Sequence, residues 1–346
     1  MSISMQTGFS FLFKRLLKAT SLRTMLVGVG LLAALPLSAQ QLVLYSGRSK
    51  ALVDPILEAF EAETGIRVLA RFGGTPQLAI ALQEEGRRSR ADLFWAQDAG
   101  ALGSISDLLQ ELPDELTASL DPALRNENGT WVGTSGRARV VAYSSARVEA
   151  EQLPKTLQGL ANSQWQGRVG WAPANGSFQS FITAMRLLDG EEATREWLIQ
   201  MRNNNTQAYP NNSSLLQAIA AGEIDLAITN HYYLYRFQER DPDFPVAQQF
   251  FDAGSTGNLV NYAGIGLLKT SRNSESAKQF IRFLLDRQAQ QYFTGQVFEY
   301  SIRDDVDPLP GMASPAALQE IRPEISLDRL EDLQGTIQLL RAVNLL

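Results

Sequence analysis

The chain has 346 residues, 45% of them hydrophobic, which excludes a globally disordered protein and predicts about two domains. Its formal net charge of −6 argues against a protein that binds the phosphate backbone of nucleic acids, because such a protein needs a basic face. No cysteine occurs, so disulfides and thiolate metal sites are excluded.

Residues 1–39 are typical of a secretory signal. Basic residues precede the apolar run "MLVGVGLLAALPL" and the small residues "LSA", which predicts cleavage after Ala39. A membrane anchor is the alternative, but the uncharged stretch between Thr24 and Gln40 is short for a bilayer. We therefore expect a periplasmic protein that does not span the membrane after cleavage.

The first part of the mature chain alternates short β-rich runs with helical patterns. The run that starts at Gln41 ends at Gly47, and a helix with apolar residues at helical spacing follows and stops at Gly65. Thr75 is placed to cap the next helix. The runs in chain order are "QLVLYSG", "KALVDPILEAFEAETG", "IRVLARFG", "TPQLAIALQEEG" and "ADLFWAQ". Such β-α-β units form parallel sheets whose ligands collect at the carboxyl ends of the strands.

A second series of the same kind begins near residue 168, and two extended stretches flank it. "WVGTSGRARVVAYSS" precedes this series and "GNLVNYAGIGLLK" follows it, so the chain is predicted to cross from one lobe to the other and return. We expect a first lobe of residues 40–140 and 268–346, with the terminal helix packed on it, and a second lobe of residues 141–267. Two such lobes suggest a cleft that closes by hinge motion.

Motifs spread over nearly the whole mature chain resemble those of periplasmic ferric-iron-binding proteins, the soluble receptors of ABC-type iron importers. They include "LYSGRS", "ADLFWAQDAGAL", "GRARVVAYS", "GWAPANGSFQSF", "YPNNSS", "GEIDLAITNHYYLYRF" and "NYAGIGLLKTSRN". The resemblance implies the α/β, two-lobe type II periplasmic-binding-protein fold with Fe(III) held between the lobes. It also implies a monomer without enzymatic activity that delivers iron to an inner-membrane permease and its ATPase.

Tyrosines are the metal ligands that the resemblance implies. Tyr232 and Tyr233 occupy the family's paired-tyrosine motif, and both phenols can reach one metal only if the backbone turns where strand gives way to helix. Tyr143, at the end of the first crossing stretch, and Tyr45, at the end of the first strand, are further candidates, although Tyr45 could equally form a wall of the cleft. A phenol bound to Fe(III) ionises far below its usual pKa near 10. Phenols without cysteine therefore indicate ferric iron rather than copper or zinc.

The sequence departs from one branch of the family. That branch has a histidine four residues after the tyrosine of the first strand and a glutamate after "ADLF", where this chain has Ser49 and Gln97. A tyrosine-rich site completed by a small anion therefore fits better. Asp98 could supply the missing carboxylate, but its position beside Gly100 favours a helix cap.

An anion, carbonate or phosphate, would complete the metal's coordination. Helix starts bind anions through exposed N–H groups, and "NGSF" begins a helix. Plain helix capping by the asparagine or the serine is the alternative. The anion-binding residues that carry over from the family are Asn175, Gly176, Ser177 and Asn230. The possible guanidinium partners are Arg48, Arg137 and Arg139.

Other functions have weaker support in the sequence. His231, the chain's only histidine, is not at the family's histidine position, so we do not expect it to bind metal. No nucleophile elbow, Walker loop, zinc-protease motif or dinucleotide fingerprint occurs, which argues against an enzyme. The alternative is a receptor of the same fold for a small organic or anionic ligand, such as thiamine, a polyamine or a phosphonate, enclosed by aromatic side chains.

Overall fold

The structure, a computed structural model, describes residues 41–118 and 120–346. The predicted signal peptide, residues 1–39, lies outside the described residues. Over the described ranges, none of the helices combines the length and the hydropathy needed to cross a bilayer.

Nine strands in the described ranges form one mixed sheet. Its order is β2-β1-β3-β9-β4-β7-β5-β6, and β8 pairs with β4 off this path. The strands are β1 Gln41–Ser46, β2 Arg67–Phe72, β3 Leu93–Ala96, β4 Trp131–Ser144, β5 Val169–Trp171, β6 Gln207–Ala208, β7 Leu226–Asn230, β8 Val246–Gln249 and β9 Val260–Leu267.

Helices follow most of the strands, as the alternating pattern predicts. They are α1 Lys50–Thr64, α2 Thr75–Glu85, α3 Ala99–Gly103, α4 Asp114–Thr117, α5 Gly176–Leu188, α6 Glu191–Asn203, α7 Asn212–Ala221, α8 Tyr232–Gln238, α9 Ser274–Leu285, α10 Arg287–Val297, α11 Pro315–Ile321 and α12 Leu333–Ala342. Helix α1 ends as predicted, because Gly65 adopts the left-handed conformation (φ 71°) that terminates a helix. The predicted cap of α2 is wrong: Gly74 is the N-cap, and the Thr75 hydroxyl instead accepts a hydrogen bond from the Gln97 amide at 3.1 Å.

The long strand β4 changes partners along its length. From Trp131 to Ala138 it pairs antiparallel with β9, and from Arg139 to Tyr143 it pairs antiparallel with β7. On the β9 side, β1 is parallel to β2 and β3; on the β7 side, β5 is parallel to β6 and β7. Each half of the sheet is thus an α/β unit, and β4 belongs to both.

Large aromatic side chains fill the core of each half. Phe60 and Phe280 meet edge to face at 4.9 Å between ring centroids in the β1 half, and Phe181 and Trp197 do so at 6.1 Å in the β5 half. Burying each such side chain contributes about 1.5–3 kcal/mol or more to folding. Each half of the sheet therefore has its own packed core, which fixes the strands that border the site.

The terminal helix packs differently from the prediction. Helix α12 lies against α5, which belongs to the segment predicted as the second lobe, and the Thr336 and Thr183 hydroxyls are 2.7 Å apart. Arg202 donates to the Val343 carbonyl oxygen at 3.0 Å. The apolar face of α12 joins the core around Phe178. Its amphipathic pattern predicts a packed helix, but it does not indicate which surface the helix covers.

Candidate functional site

A cavity of about 760 Å³ lies where β4 changes partners. Its wall combines loops after β1 and β3, the start of α5, the end of β7 and the middle of β4. The polar lining residues are Thr75, Gln83, Gln97, Asp98, Ser104, Arg137, Arg139, Asn175, Ser177, Ser180, Asn230, Tyr232, Tyr233, Asn261 and Gln334. The cavity thus forms at strand carboxyl ends from both halves of the sheet, which is where the β-α-β pattern predicts a ligand site.

The paired tyrosines both line this cavity. Strand β7 ends at Asn230 and helix α8 begins at Tyr232, so the backbone turns at the motif, as a shared site requires. The ring centroids of Tyr232 and Tyr233 are 4.4 Å apart, with 30° between the ring planes. Arg236, one helical turn later, places its guanidinium carbon 4.5 Å from the centroid of the Tyr232 ring. Two phenols are therefore held side by side at one wall.

The Tyr232 phenol is held in its neutral form. Burial raises the pKa of Tyr232 well above its usual range, the neighbouring Tyr233 raises it further, and Arg137 opposes the shift. Only a strongly charged cation can overcome such a shift, because it stabilises the phenolate directly. The environment therefore suits a phenol that ionises when it binds a hard metal ion.

Arg139 is the buried link between α5 and β7. Its Nη1 donates to the Ser177 hydroxyl and to Asn230 Oδ1, each at 3.2 Å, and its Nη2 donates to the Ile228 carbonyl oxygen at 3.0 Å. Burial lowers the pKa of Arg139 to about 10, which leaves it charged near neutral pH. Arg139 therefore brings a positive charge to the phenol pair and orients two polar side chains of the wall.

The start of α5 shows the capping that was the alternative interpretation. Asn175 Oδ1 accepts from the Ser177 amide at 3.0 Å and from the Ser177 hydroxyl at 2.6 Å, while both residues also line the cavity with Gly176. Asn212, at the start of α7, was missed by the sequence reasoning. Its Nδ2 donates to the Ser177 hydroxyl at 3.2 Å, although its side chain is fully buried. The signal that could have found it is "YPNNSS", where polar residues precede an apolar helix.

Two of the predicted tyrosines lie outside the cavity lining. The Tyr45 hydroxyl donates to Glu85 at 2.9 Å and accepts from Arg71 at 3.0 Å, so this phenol already has partners elsewhere. Tyr143 pairs with Leu226, the first residue of β7, whereas the cavity lies at the last residue of that strand. Because β4 and β7 are antiparallel, Tyr143 is four residues, about 13 Å, beyond the strand position at the cavity.

Arg48 also lies outside the cavity lining. Its Nη2 is 2.9 Å from Glu299 Oε2, with side-chain exposures of 0% and 1%, and its Nη1 donates to the Ser135 hydroxyl at 3.1 Å. The structure therefore places this predicted anion partner in a buried ion pair. Its partner Glu299 is 251 positions away in the sequence, so no local pattern indicates the pairing.

His231 uses both ring nitrogens within the protein, which agrees with the expectation that it does not bind metal. Nδ1 accepts from the Ala138 amide at 3.2 Å, and Nε2 donates to the Phe298 carbonyl oxygen at 2.8 Å. The ring stacks on Tyr300 at 4.1 Å between centroids. Burial lowers the pKa of His231 to about 3, so the ring is neutral and joins three segments of the chain.

Asp98 is the N-cap of α3, as expected, since its Oδ1 accepts from the Ala101 amide at 3.3 Å. Burial raises the pKa of Asp98, and Arg137 opposes the shift. Over residues 41–118 and 120–346, no three or more histidine, aspartate or glutamate side chains cluster as a metal site. Among the described lining residues, Tyr232 and Tyr233 supply the phenol oxygens and Asp98 supplies the carboxyl group.

Comparisons with known proteins agree with this architecture. Residues 56–320 match the family described as bacterial extracellular solute-binding protein. The major ferric iron-binding protein of Neisseria meningitidis serogroup B is 32% identical over 329 residues, covering 93% of this chain and 98% of that protein. The Fe(3+)-binding periplasmic protein of Serratia marcescens is 32% identical over 282 residues, covering 76% of this chain and 79% of that protein.

A solved structure supports the same relationship. Iron-bound HitA from Pseudomonas aeruginosa is 32% identical and superimposes with a TM-score of 0.80, covering 88% of this chain and 99% of that one. The first two relatives are named for the binding of ferric iron, and the HitA structure holds iron. The resemblance seen in the motifs and the two-lobe α/β fold are confirmed: the chain belongs to the family of bacterial extracellular solute-binding proteins and is related to its periplasmic ferric iron-binding members.

Proposed function

We propose that this protein is a periplasmic receptor that binds ferric iron in the cavity and delivers it to an ABC importer, without enzymatic activity. The observation that carries the proposal is the pair of adjacent phenols, Tyr232 and Tyr233, side by side at one cavity wall. The relatives named for ferric iron binding support it. Its partners would be an inner-membrane permease and the permease's ATPase, and the protein would act as a monomer.

The proposed metal ligands are the oxygens of Tyr232 and Tyr233. Tyr45 and Tyr143 are left out, because the first is hydrogen-bonded elsewhere and the second lies at the far end of β7. Carbonate or phosphate would bind at the start of α5, where Gly176 lines the cavity. The anion would complete the shell that two phenolates leave open.

Motion of the two lobes would open and close this site. The lobes would meet where β4 passes from β9 to β7, between Ala138 and Arg139, with β9 as the returning segment. The last helix, α12, would move with the second lobe because it packs on α5. Closure would bring Gln97 and Asp98 of one lobe towards the phenols of the other and remove water from the iron.

A receptor for a small organic anion is the second candidate. Two buried guanidinium groups, Arg137 and Arg139, line the cavity, which favours an anionic ligand such as a phosphonate over the cations thiamine and polyamine. In that case the tyrosine rings would enclose the ligand without ionising.

A visible absorption titration with a ferric salt in carbonate buffer tests the proposal. Binding to phenolate should produce a red or orange charge-transfer band that saturates at equimolar iron. Tyr232→Phe and Tyr233→Phe should each abolish or strongly weaken the band, whereas the matched control Tyr143→Phe should retain it. A wild-type protein with no band would reject iron binding through phenols and favour the organic anion.

A further inference from the structure

We propose that residues 322–332 form a strap that ties the two lobes together beside the hinge and restrains their opening. The inference goes beyond iron binding, but it rests on the lobe motion that is part of the proposed function. The strap connects the end of α11 with the start of α12. It is attached to the first lobe through Arg322 and to the second lobe through Asp332.

Arg322 attaches the strap to the first lobe. Its Nη2 donates to Asp121 Oδ2 at 3.0 Å, and its Nη1 donates to the Tyr262 hydroxyl at 3.3 Å. The side chains of the ion pair are 18% and 19% exposed, so water screens it less than an exposed pair. Asp121 precedes β4, and its Oδ1 accepts from the Ala123 amide at 2.8 Å. The carboxylate is therefore held in place by its own lobe when it pairs with the strap.

The strap then passes around β9 to the iron cavity. Val260 and Tyr262 line a second cavity of about 450 Å³ that the strap borders, whereas Asn261 lines the iron cavity. Because alternate residues of a strand face opposite sides, the strap begins on the side of β9 away from the iron cavity. Its 3-10 helix, Leu327–Glu331, packs against α3 of the first lobe, and Leu330 reaches the iron cavity.

Asp332 attaches the strap to the second lobe. Arg186 of α5 places Nη2 2.9 Å from Asp332 Oδ2 and donates from Nη1 to the Asp332 carbonyl oxygen at 3.2 Å. Asp332 Oδ1 also caps α12 by accepting from the Gly335 amide at 3.0 Å. The Thr336 hydroxyl accepts from Arg186 Nη1 at 3.0 Å. Arg186 thus holds both the end of the strap and the first turn of α12 on α5.

Opening of the cleft would move α3 of the first lobe away from α5 of the second. Because the strap contacts both helices, it would have to stretch or release one of its ends. Relative rotation of the lobes lengthens and misaligns the hydrogen bonds at these ends, and such bonds weaken steeply with poor geometry. The strap therefore favours the arrangement seen in this structure over a more open one, and loosening either end should favour opening.

Fluorescence energy transfer between the lobes of the metal-free mature protein would test the strap. The chain has no cysteine, so Glu84→Cys and Gln217→Cys, at exposed positions of α2 and α7, provide two labelling sites. Arg322→Gln should raise the population of the open form about twofold to fivefold, because an ion pair of the strap is lost. Arg322→Lys, which keeps the charge, should raise it less. Arg282→Gln removes an ion pair within the first lobe and should leave the population unchanged.

A strap also predicts that loosening either end has the same consequence. Asp332→Asn can keep the cap of α12 while it removes the charge paired with Arg186, so it should open the protein as Arg322→Gln does. The double variant should add little, because a strap that is loose at one end no longer restrains the other. Unchanged energy transfer in both single variants, or in Asp332→Asn if Arg322→Gln does not fold, would overturn the proposal. Full additivity in the double variant would overturn it as well.

The rate of iron release separates the strap from the proposed function. When a strong chelator is added in excess, Arg322→Gln should lose the phenolate band about twofold to fivefold faster than wild type, with the position of the band unchanged. Release at the wild-type rate, together with unchanged energy transfer, would count against the strap alone. Absence of the band in wild type would reject iron binding through phenols, while the energy transfer of the metal-free protein would still decide whether the strap restrains opening.

Discussion

Two buried sites along β4 both contain arginine, but they differ in whether the arginine is paired with a carboxylate. The ion-pair cluster consists of Arg48, Ser135 and Glu299, and the cavity contains Arg137 and Arg139. Positions 135, 137 and 139 lie on one face of the strand because side chains alternate with a period of two. The same face thus runs from a position next to the Arg48–Glu299 ion pair to two arginines that line the cavity.

In the ion-pair cluster the buried positive charge is paired with a buried carboxylate. Glu299 accepts hydrogen bonds from both Arg48 and Ser135, and the guanidinium carbon of Arg48 is 5.3 Å from the centroid of the Trp95 ring. The next residue, Tyr300, pairs with Gly136 through two backbone hydrogen bonds of 2.8 Å. A cluster of this kind fixes the chain segment to β4, whereas the polar groups of the second site line a cavity of about 760 Å³. The pairing of the guanidinium charge with a carboxylate, rather than the residue type, distinguishes the two sites.

The largest effect should follow from breaking the ion-pair cluster. Glu299→Ala leaves the Arg48 charge buried without its partner and should lower the free energy of unfolding by about 3–5 kcal/mol. Urea denaturation of the mature protein measures this loss. As the control, Glu115→Ala removes the partner of Arg282 from an exposed pair and should cost less than about 1 kcal/mol. Equal losses in the two variants would contradict the contrast between buried and exposed pairs.

A smaller loss should follow from replacing His231, which joins the two regions. His231→Phe can keep the stacking on Tyr300, but it leaves the Ala138 amide and the Phe298 carbonyl oxygen without partners. We expect the free energy of unfolding to fall by about 2–4 kcal/mol, at about 1–2 kcal/mol, the lower part of the usual range, for each of the two buried groups that lose a partner. Thermal and urea denaturation of the variant and the wild type measure this loss of stability. His231→Gln, which can keep one of the bonds, should lose less, and the reverse order would contradict the prediction.

The Glu299 carboxyl of the ion-pair cluster should make the stability of the protein depend on pH in the acid range. Burial alone would raise the pKa of Glu299, but Arg48 and Arg137 outweigh burial and hold it below its ordinary value of 4.5. Since the folded-state pKa is the lower one, the stabilisation is fully present above pH 4.5 and is lost as pH falls through the folded-state pKa. Urea denaturation at several pH values below 5 should show a shallower acid dependence in Glu299→Gln than in wild type. An unchanged slope would show that Glu299 ionises alike in both states.

The smallest change in stability is expected at the phenols of the cavity. Tyr232→Phe removes a hydroxyl that interacts with Tyr233 and Asn230 at a cavity wall, so the free energy of unfolding should fall by about 1 kcal/mol or less. The same variant should lose the iron band. Denaturation and absorption spectra on one preparation measure both quantities. A loss of more than about 3 kcal/mol would place Tyr232 with the structural residues instead.

Local patterns predicted several features that the structure has. The stop of α1 at Gly65, the cap by Asp98 and the strand-to-helix turn before Tyr232 each depend on residues a few positions apart. Tyr143 and Arg48 lie outside the cavity lining, and no local pattern indicates this because their surroundings come from distant segments. Arg48 meets a carboxylate 251 positions away, and the place of Tyr143 depends on the antiparallel pairing of β4 with β7.

The sequence by itself determined the family, the alternation of strands and helices, and the adjacent phenols at a strand end. These features follow from short-range periodicity and from the order of the motifs, both of which can be read without knowing the long-range contacts. Only the tertiary structure decided which polar side chains face the cavity and which are paired in the core. Burial makes an uncompensated charge costly, so long-range packing assigns Arg48 to Glu299 and leaves Arg137 at the cavity.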